Sequence, residues 1–83
     1  MIDVRTPQEW AEGVIEGADK IDFFTGDAFV EAIDKLDRNK AYFMICRSGN
    51  RSGQACQMMN KMGFEKTYNL LGGMLDWEGE LKI

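Results

Sequence analysis

Ala41-Tyr42-Phe43-Met44-Ile45 runs into Cys46-Arg47-Ser48-Gly49-Asn50-Arg51-Ser52, and Gln54-Ala55-Cys56-Gln57-Met58-Met59-Asn60-Lys61-Met62 follows. The first segment is continuously apolar, as a strand buried in a parallel sheet would be. In the third, Ser52, Ala55, Cys56, Met59 and Met62 recur at helical spacing. A cysteine therefore stands where a buried strand ends, and a short polar loop leads from it to a helix N-terminus. Successive loop amides can converge on an anion, and the helix N-terminus adds unpaired N–H groups and partial positive charge. Arg47 and Arg51 add full charges. Each of these favours a thiolate at Cys46 over a thiol. A small core cysteine is the bland alternative, but neighbours such as Arg, Ser, Gly and Asn do not suit a core.

The rest of the chain supplies the sheet around this unit. Ile2–Arg5 reads as a short strand ending at Thr6-Pro7. Thr6, Pro7 and Glu9 have the spacing of an N-cap, a first helical position and a capping-box acid, so a helix is expected over Pro7–Glu12, stopped at Gly13. Lys20–Phe23 reads as a strand. Ala28, Phe29, Ala32, Ile33 and Leu36 put a helix in Gly26–Asp37. After Gly63, Lys66–Leu71 is a strand, Gly72-Gly73 a turn, and Met74–Gly79 a short helix carrying Trp77. Strand and helix alternate four times. This predicts one α/β domain over 1–83, a parallel sheet of about four strands with helices on both faces. Ligands in such sheets bind beyond the carboxyl ends of the strands, where Cys46 stands.

Three motifs resemble those of the rhodanese-like sulfurtransferases. Ile2-Asp3-Val4-Arg5-Thr6-Pro7-Gln8-Glu9-Trp10 with Gly13-Val14-Ile15-Glu16-Gly17-Ala18 is similar to the family's opening segment. The Cys46 loop is the second, and Gly72-Gly73-Met74-Leu75-Asp76-Trp77 resembles its closing G-G-x-x-x-W. The resemblance implies the three-layer rhodanese-like fold. It implies a Cys46 persulfide that moves sulfane sulfur from a small anionic donor such as thiosulfate to cyanide, a thiol or a protein acceptor. Arg47, Ser48, Gly49, Asn50, Arg51 and Ser52 would bind the donor, with no metal or organic cofactor. Family domains carry a further strand and helix ahead of the first motif. That strand would pair with Lys66–Leu71, so this edge is expected to be open. Val14 stands where the family has histidine, for which only a packing consequence is expected.

Composition narrows the chemistry. There is no histidine, which removes Cys-His and Ser-His-Asp catalysis within the chain and the commonest metal ligand. The net charge of −4 argues against nucleic acid. No apolar run is long enough to span a membrane and no signal peptide is evident. Two cysteines without a disulfide-rich pattern suit a reducing compartment, hence a cytoplasmic protein, expected as a monomer or weak dimer. Cysteine-dependent phosphatases and arsenate reductases are the enzymatic rival; the phosphatases place an arginine six positions after the cysteine. Here Arg51 comes five after Cys46 and Ser52 stands at the sixth, a tighter loop. A non-catalytic rhodanese-like binding module is the other alternative. Cys56 and the methionines read as core, Trp10 and Trp77 as packing aromatics. Arg5 and Glu9 read as a structural ion pair.

Overall fold

A computed structural model describes residues 1–70, 72–77, 79 and 81. Its elements are β1 (Ile2–Asp3), α1 (Pro7–Trp10), β2 (Asp19–Lys20), a 3-10 turn (Phe23–Thr25), α2 (Asp27–Asp34), β3 (Tyr42–Ile45), α3 (Asn50–Lys61), β4 (Thr67–Asn69) and a second 3-10 turn (Gly73–Asp76). The four strands form one parallel sheet in the order β2-β1-β3-β4. Ile2 lies opposite Met44, Asp3 opposite Ile45, and Phe43 opposite Tyr68. The α/β class, the parallel sheet and its four strands are those the sequence led us to expect.

Right-handed crossovers explain the layers. The chain moves one way from β1 to β2 and the other way from β2 to β3 and from β3 to β4. The α1 connection therefore lies on one face and α2 and α3 on the other. The core agrees, since Ile2, Val4, Met44 and Cys46 pack with Phe29 and Ile33 of α2 and with Ala55, Cys56 and Met59 of α3. On the opposite face Phe43 and Tyr68 stack with ring centroids 5.1 Å apart and stay half-exposed. β4 is an edge strand, as expected. The strand order reverses between β1 and β3. At that reversal the two adjacent connections leave in opposite directions and open a crevice at the strands' carboxyl ends. Arg5 follows β1 there and Cys46 follows β3.

Several boundaries differ from the sequence reading for local reasons. Only Asp19–Lys20 pairs as strand, because the Asp22 carboxylate accepts the Phe24 N–H at 2.9 Å and curls the chain into a 3-10 turn. α1 stops at Trp10, and α2 covers Asp27–Asp34 rather than Gly26–Asp37. α3 begins at Asn50, so Arg51 and Ser52 belong to its first turn and only Arg47–Gly49 is loop. The closing helix is a 3-10 turn at Gly73–Asp76, with Trp77 extended after it. Leu71 of the expected fourth strand and Glu78 of the expected closing helix lie outside the described residues.

The expected Arg5–Glu9 ion pair does not form. Arg5 is buried against Asp3 instead, with Nε 2.9 Å from Oδ1 and Nη2 2.8 Å from Oδ2. Nη2 also donates to the Gly13 carbonyl at 2.8 Å. Residues two apart on an extended strand share a face, and this lets Asp3 reach Arg5 before Glu9 can. Glu9 is free to keep its capping box with Thr6 and to find another cation.

Candidate active site

The seven residues from Cys46 to Ser52 form a cradle around the cysteine sulfur. Cys46 directly follows β3 and is 1% exposed, more deeply buried than reactive cysteines commonly are. The carboxyl end of a buried strand sinks it, and the closing turn covers it. Met74 N–H donates to the Cys46 carbonyl at 2.8 Å and Leu75 N–H to the Arg47 carbonyl at 3.0 Å. Gly73 makes this approach possible. It has φ +53°, and an added Cβ would run into the Cys46 carbonyl oxygen.

Gly49 turns the loop into α3 with φ +93°, a conformation that glycine adopts without steric cost. Its N–H donates to Cys46 Sγ at 3.1 Å. Ser52, fully buried on the first turn of α3, places its hydroxyl 3.4 Å from Sγ. Burial pushes the Cys46 thiol up. The Ser52 hydroxyl and the backbone N–H groups of Ser52, Ser48 and Gly49 outweigh it, and the thiol lies below its ordinary range. Hydrogen bonds to the charged sulfur therefore carry most of the shift that the sequence reading shared with the arginines.

The remaining loop residues separate. Ser48 turns its side chain to the exposed surface. Asn50 is exposed and accepts a hydrogen bond from Gln54 Nε2 at 3.3 Å. Arg47 is exposed and lines a cleft of about 480 Å³ whose other walls include Arg5, Glu9, Glu12, Met74 and Leu75. Arg51 does not hold its fork over the sulfur. Its Nη1 and Nη2 reach Glu9 Oε1 at 2.7 Å and Oε2 at 2.9 Å, and its guanidinium carbon lies 5.3 Å from the centre of the Phe24 ring. The Arg51 guanidinium is the main reason that the Glu9 carboxyl is lowered to about 2. Glu9 in turn raises Arg51, to which Cys46 adds a smaller contribution.

Two residues shape the site without having been placed in it by the sequence. Glu9, expected only as a capping-box acid and partner of Arg5, is one. Asn69, the last residue of β4, is the other. Its Nδ2 donates to the Gly49 carbonyl at 2.9 Å, and its Oδ1 lies 2.5 Å from Ser52 Oγ. Both partnerships cross long stretches of sequence, and no local pattern signals them. Cys56 is buried in the core, where burial raises its thiol. Among the described residues no cluster of three His, Cys, Asp or Glu is placed to hold a metal ion. No helix of the described residues is long and apolar enough to cross a membrane.

The family model for the rhodanese-like domain matches residues 1–80, and the chain belongs to that family. It is 48% identical over 82 residues to YtwF of Bacillus subtilis, a protein that carries a sulfurtransferase name, covering 99% of this chain and 76% of that protein. It is 36% identical over 77 residues to a sulfurtransferase of Allochromatium vinosum, covering 93% of this chain and 69% of that one. The crystal structure of a rhodanese-like domain protein from Staphylococcus aureus superposes with a TM-score of 0.86 at 31% identity, over 99% of this chain and 78% of that chain.

Proposed function

We infer that the protein is a sulfurtransferase that carries sulfane sulfur as a persulfide on Cys46. The observation that carries this reading is the convergence of the Gly49 N–H and the Ser52 hydroxyl on a cysteine sulfur whose thiol is lowered despite burial. In the first step the Cys46 thiolate attacks the outer sulfur of a donor such as thiosulfate. A sulfur–sulfur bond forms to Sγ, the donor's own sulfur–sulfur bond breaks, and sulfite leaves with its electron pair. In the second step cyanide, a thiol or a protein acceptor attacks the outer sulfur, and Cys46 thiolate is regenerated. This is covalent catalysis in two half-reactions. The amides that hold the thiolate can also hold the terminal charge of the persulfide.

A sulfur buried this deeply is reached by a slim protruding atom more readily than by a tetrahedral phosphorus. That, with the short spacing from Cys46 to Arg51, favours sulfur over phosphoryl chemistry. Arg47, exposed at the cleft, is the cation that an approaching donor meets. Neither metal nor organic cofactor enters either step. The reading includes a reducing, cytoplasmic setting, one domain over 1–83, and a chain that acts as a monomer or weak dimer.

The test is thiocyanate formation from thiosulfate and cyanide, with mass analysis after thiosulfate alone. The parent should gain about 32 Da, one persulfide sulfur, on the Cys46 peptide. Cys46→Ser should lose transfer and Cys56→Ser should keep it. Transfer by Cys46→Ser at the parent rate, or faster hydrolysis of an aryl phosphate than sulfur transfer by the parent, overturns the reading.

A further inference from the structure

The Glu9–Arg51 pair joins two parts of the chain that the proposed reaction does not itself connect. Glu9 stands in the first turn of α1, and Arg51 in the first turn of α3, beside the residue that touches Sγ. Glu9 Oε1 accepts from Thr6 N at 3.3 Å, from Thr6 Oγ1 at 3.1 Å and from Arg51 Nη1 at 2.7 Å. Oε2 accepts from Arg51 Nη2 at 2.9 Å. The carboxylate is therefore fixed from the α1 side before it meets the guanidinium, and Phe24 packs over the guanidinium face. Both partners are mostly covered, with side-chain exposures of 18% for Arg51 and 24% for Glu9. A planar arginine fork fits a carboxylate or an oxyanion in the same bidentate way, but not both at once. Among the described residues, Arg47 is the loop cation without an ion pair.

We propose that Glu9 is a positioning residue that sets the charge selectivity of the Cys46 cradle. By occupying the fork of Arg51, it makes the α3 side of the cradle neutral overall and leaves Arg47 alone to attract an incoming anion. The site thereby disfavours oxyanions, such as phosphate, that need an arginine fork, and accepts donors that need one cation and a reachable sulfur atom. This rests on the sulfur-transfer reading for its biological meaning, but its physical content concerns only the field at Sγ.

The experiment measures that field without sulfur transfer. Cys46 is alkylated with anionic iodoacetate and with neutral iodoacetamide, and modification is read by mass on the Cys46 peptide. Both reagents attack the thiolate, so the ratio of their rates cancels the thiolate population and reports charge. The variants are Glu9→Gln, Arg51→Gln and the double variant; glutamine at position 9 can keep the capping box. Glu9→Gln should raise the iodoacetate-to-iodoacetamide ratio about fivefold, because Arg51 and Cys46 already interact electrostatically and an uncompensated charge near a buried sulfur acts at that scale. Arg51→Gln should lower it by a similar factor, since it leaves Glu9 uncompensated. The double variant should return within about twofold of the parent. Inorganic phosphate should protect Cys46 in Glu9→Gln at concentrations that leave the parent unprotected. A ratio unchanged in both single variants, or moved the same way in both, overturns the proposal and leaves the pair a structural tie. If the ratios follow the expected pattern while the parent transfers no sulfur, the charge-selectivity proposal stands and the sulfurtransferase reading fails.

Discussion

Ser52 has one hydroxyl hydrogen and two acceptors within reach, Cys46 Sγ and Asn69 Oδ1. The Asn69 amide cannot turn round to supply a second hydrogen, because its Nδ2 is committed to the Gly49 carbonyl. The proton goes to Asn69 while the sulfur is a thiol, and to sulfur once it is a thiolate. Ser52→Ala should therefore raise the Cys46 pKa toward the free value of about 8.5, seen as a higher midpoint in the pH profile of iodoacetamide alkylation. Asn69→Ala releases the Ser52 proton and should move that midpoint below the parent's. A midpoint above the parent's in Asn69→Ala would mean that Asn69 matters chiefly by holding Gly49 and its N–H in place.

The elements are tied by two ion pairs that behave differently. Asp3 and Arg5 are buried and fasten the end of β1 to the bend at Gly13. Arg5→Met leaves the Asp3 carboxylate buried without its partner and should cost about 3–5 kcal/mol in urea unfolding. Glu9 and Arg51 tie α1 to α3 and carry a pH signature. Glu9 is depressed from 4.5 to about 2 by the Arg51 guanidinium. A depressed carboxyl stabilises the fold above its unfolded pKa, and that contribution is lost as pH falls through its folded pKa. Stability should therefore fall between about pH 4.5 and pH 2, and Glu9→Gln should remove that part of the decline. A decline of the same depth in Glu9→Gln would assign the acid sensitivity to other carboxylates.

At the scale of the whole molecule, a chain of 83 residues has a small core and little stability in reserve. Ile33 is fully buried between α2 and the sheet, whereas Val30 on the same helix is 38% exposed. Ile33→Ala should cost about 2–5 kcal/mol, a large part of the total. Val30→Ala should cost well under that, because less than the whole side chain leaves an apolar environment. Equal shifts in the urea midpoint for the two variants would contradict the placement of the core on the α2–α3 face. The opposite face carries the stacked Phe43–Tyr68 pair, which stays half-exposed.

Much of this protein was legible in the order of its residues. Of the apolar run Ala41–Ile45, Tyr42–Ile45 forms β3, although only Met44 and Ile45 are fully buried and Phe43 stays half-exposed on the outer face. The Thr6–Glu9 capping box formed, because its partners lie within one helical turn. The position of Cys46 between strand and helix followed from the same local rules. Tertiary structure alone decided which side chains meet across the crevice. Arg51 found Glu9, Ser52 found Asn69, and Gly73 admitted the closing turn against the Cys46 carbonyl. Those meetings depend on strand order and on the hand of the crossovers, which bring the ends of β1, β3 and β4 together. Periodicity and spacing describe neighbours along the chain. They carry no term for a carboxylate that arrives from a strand crossover away and competes successfully for an arginine.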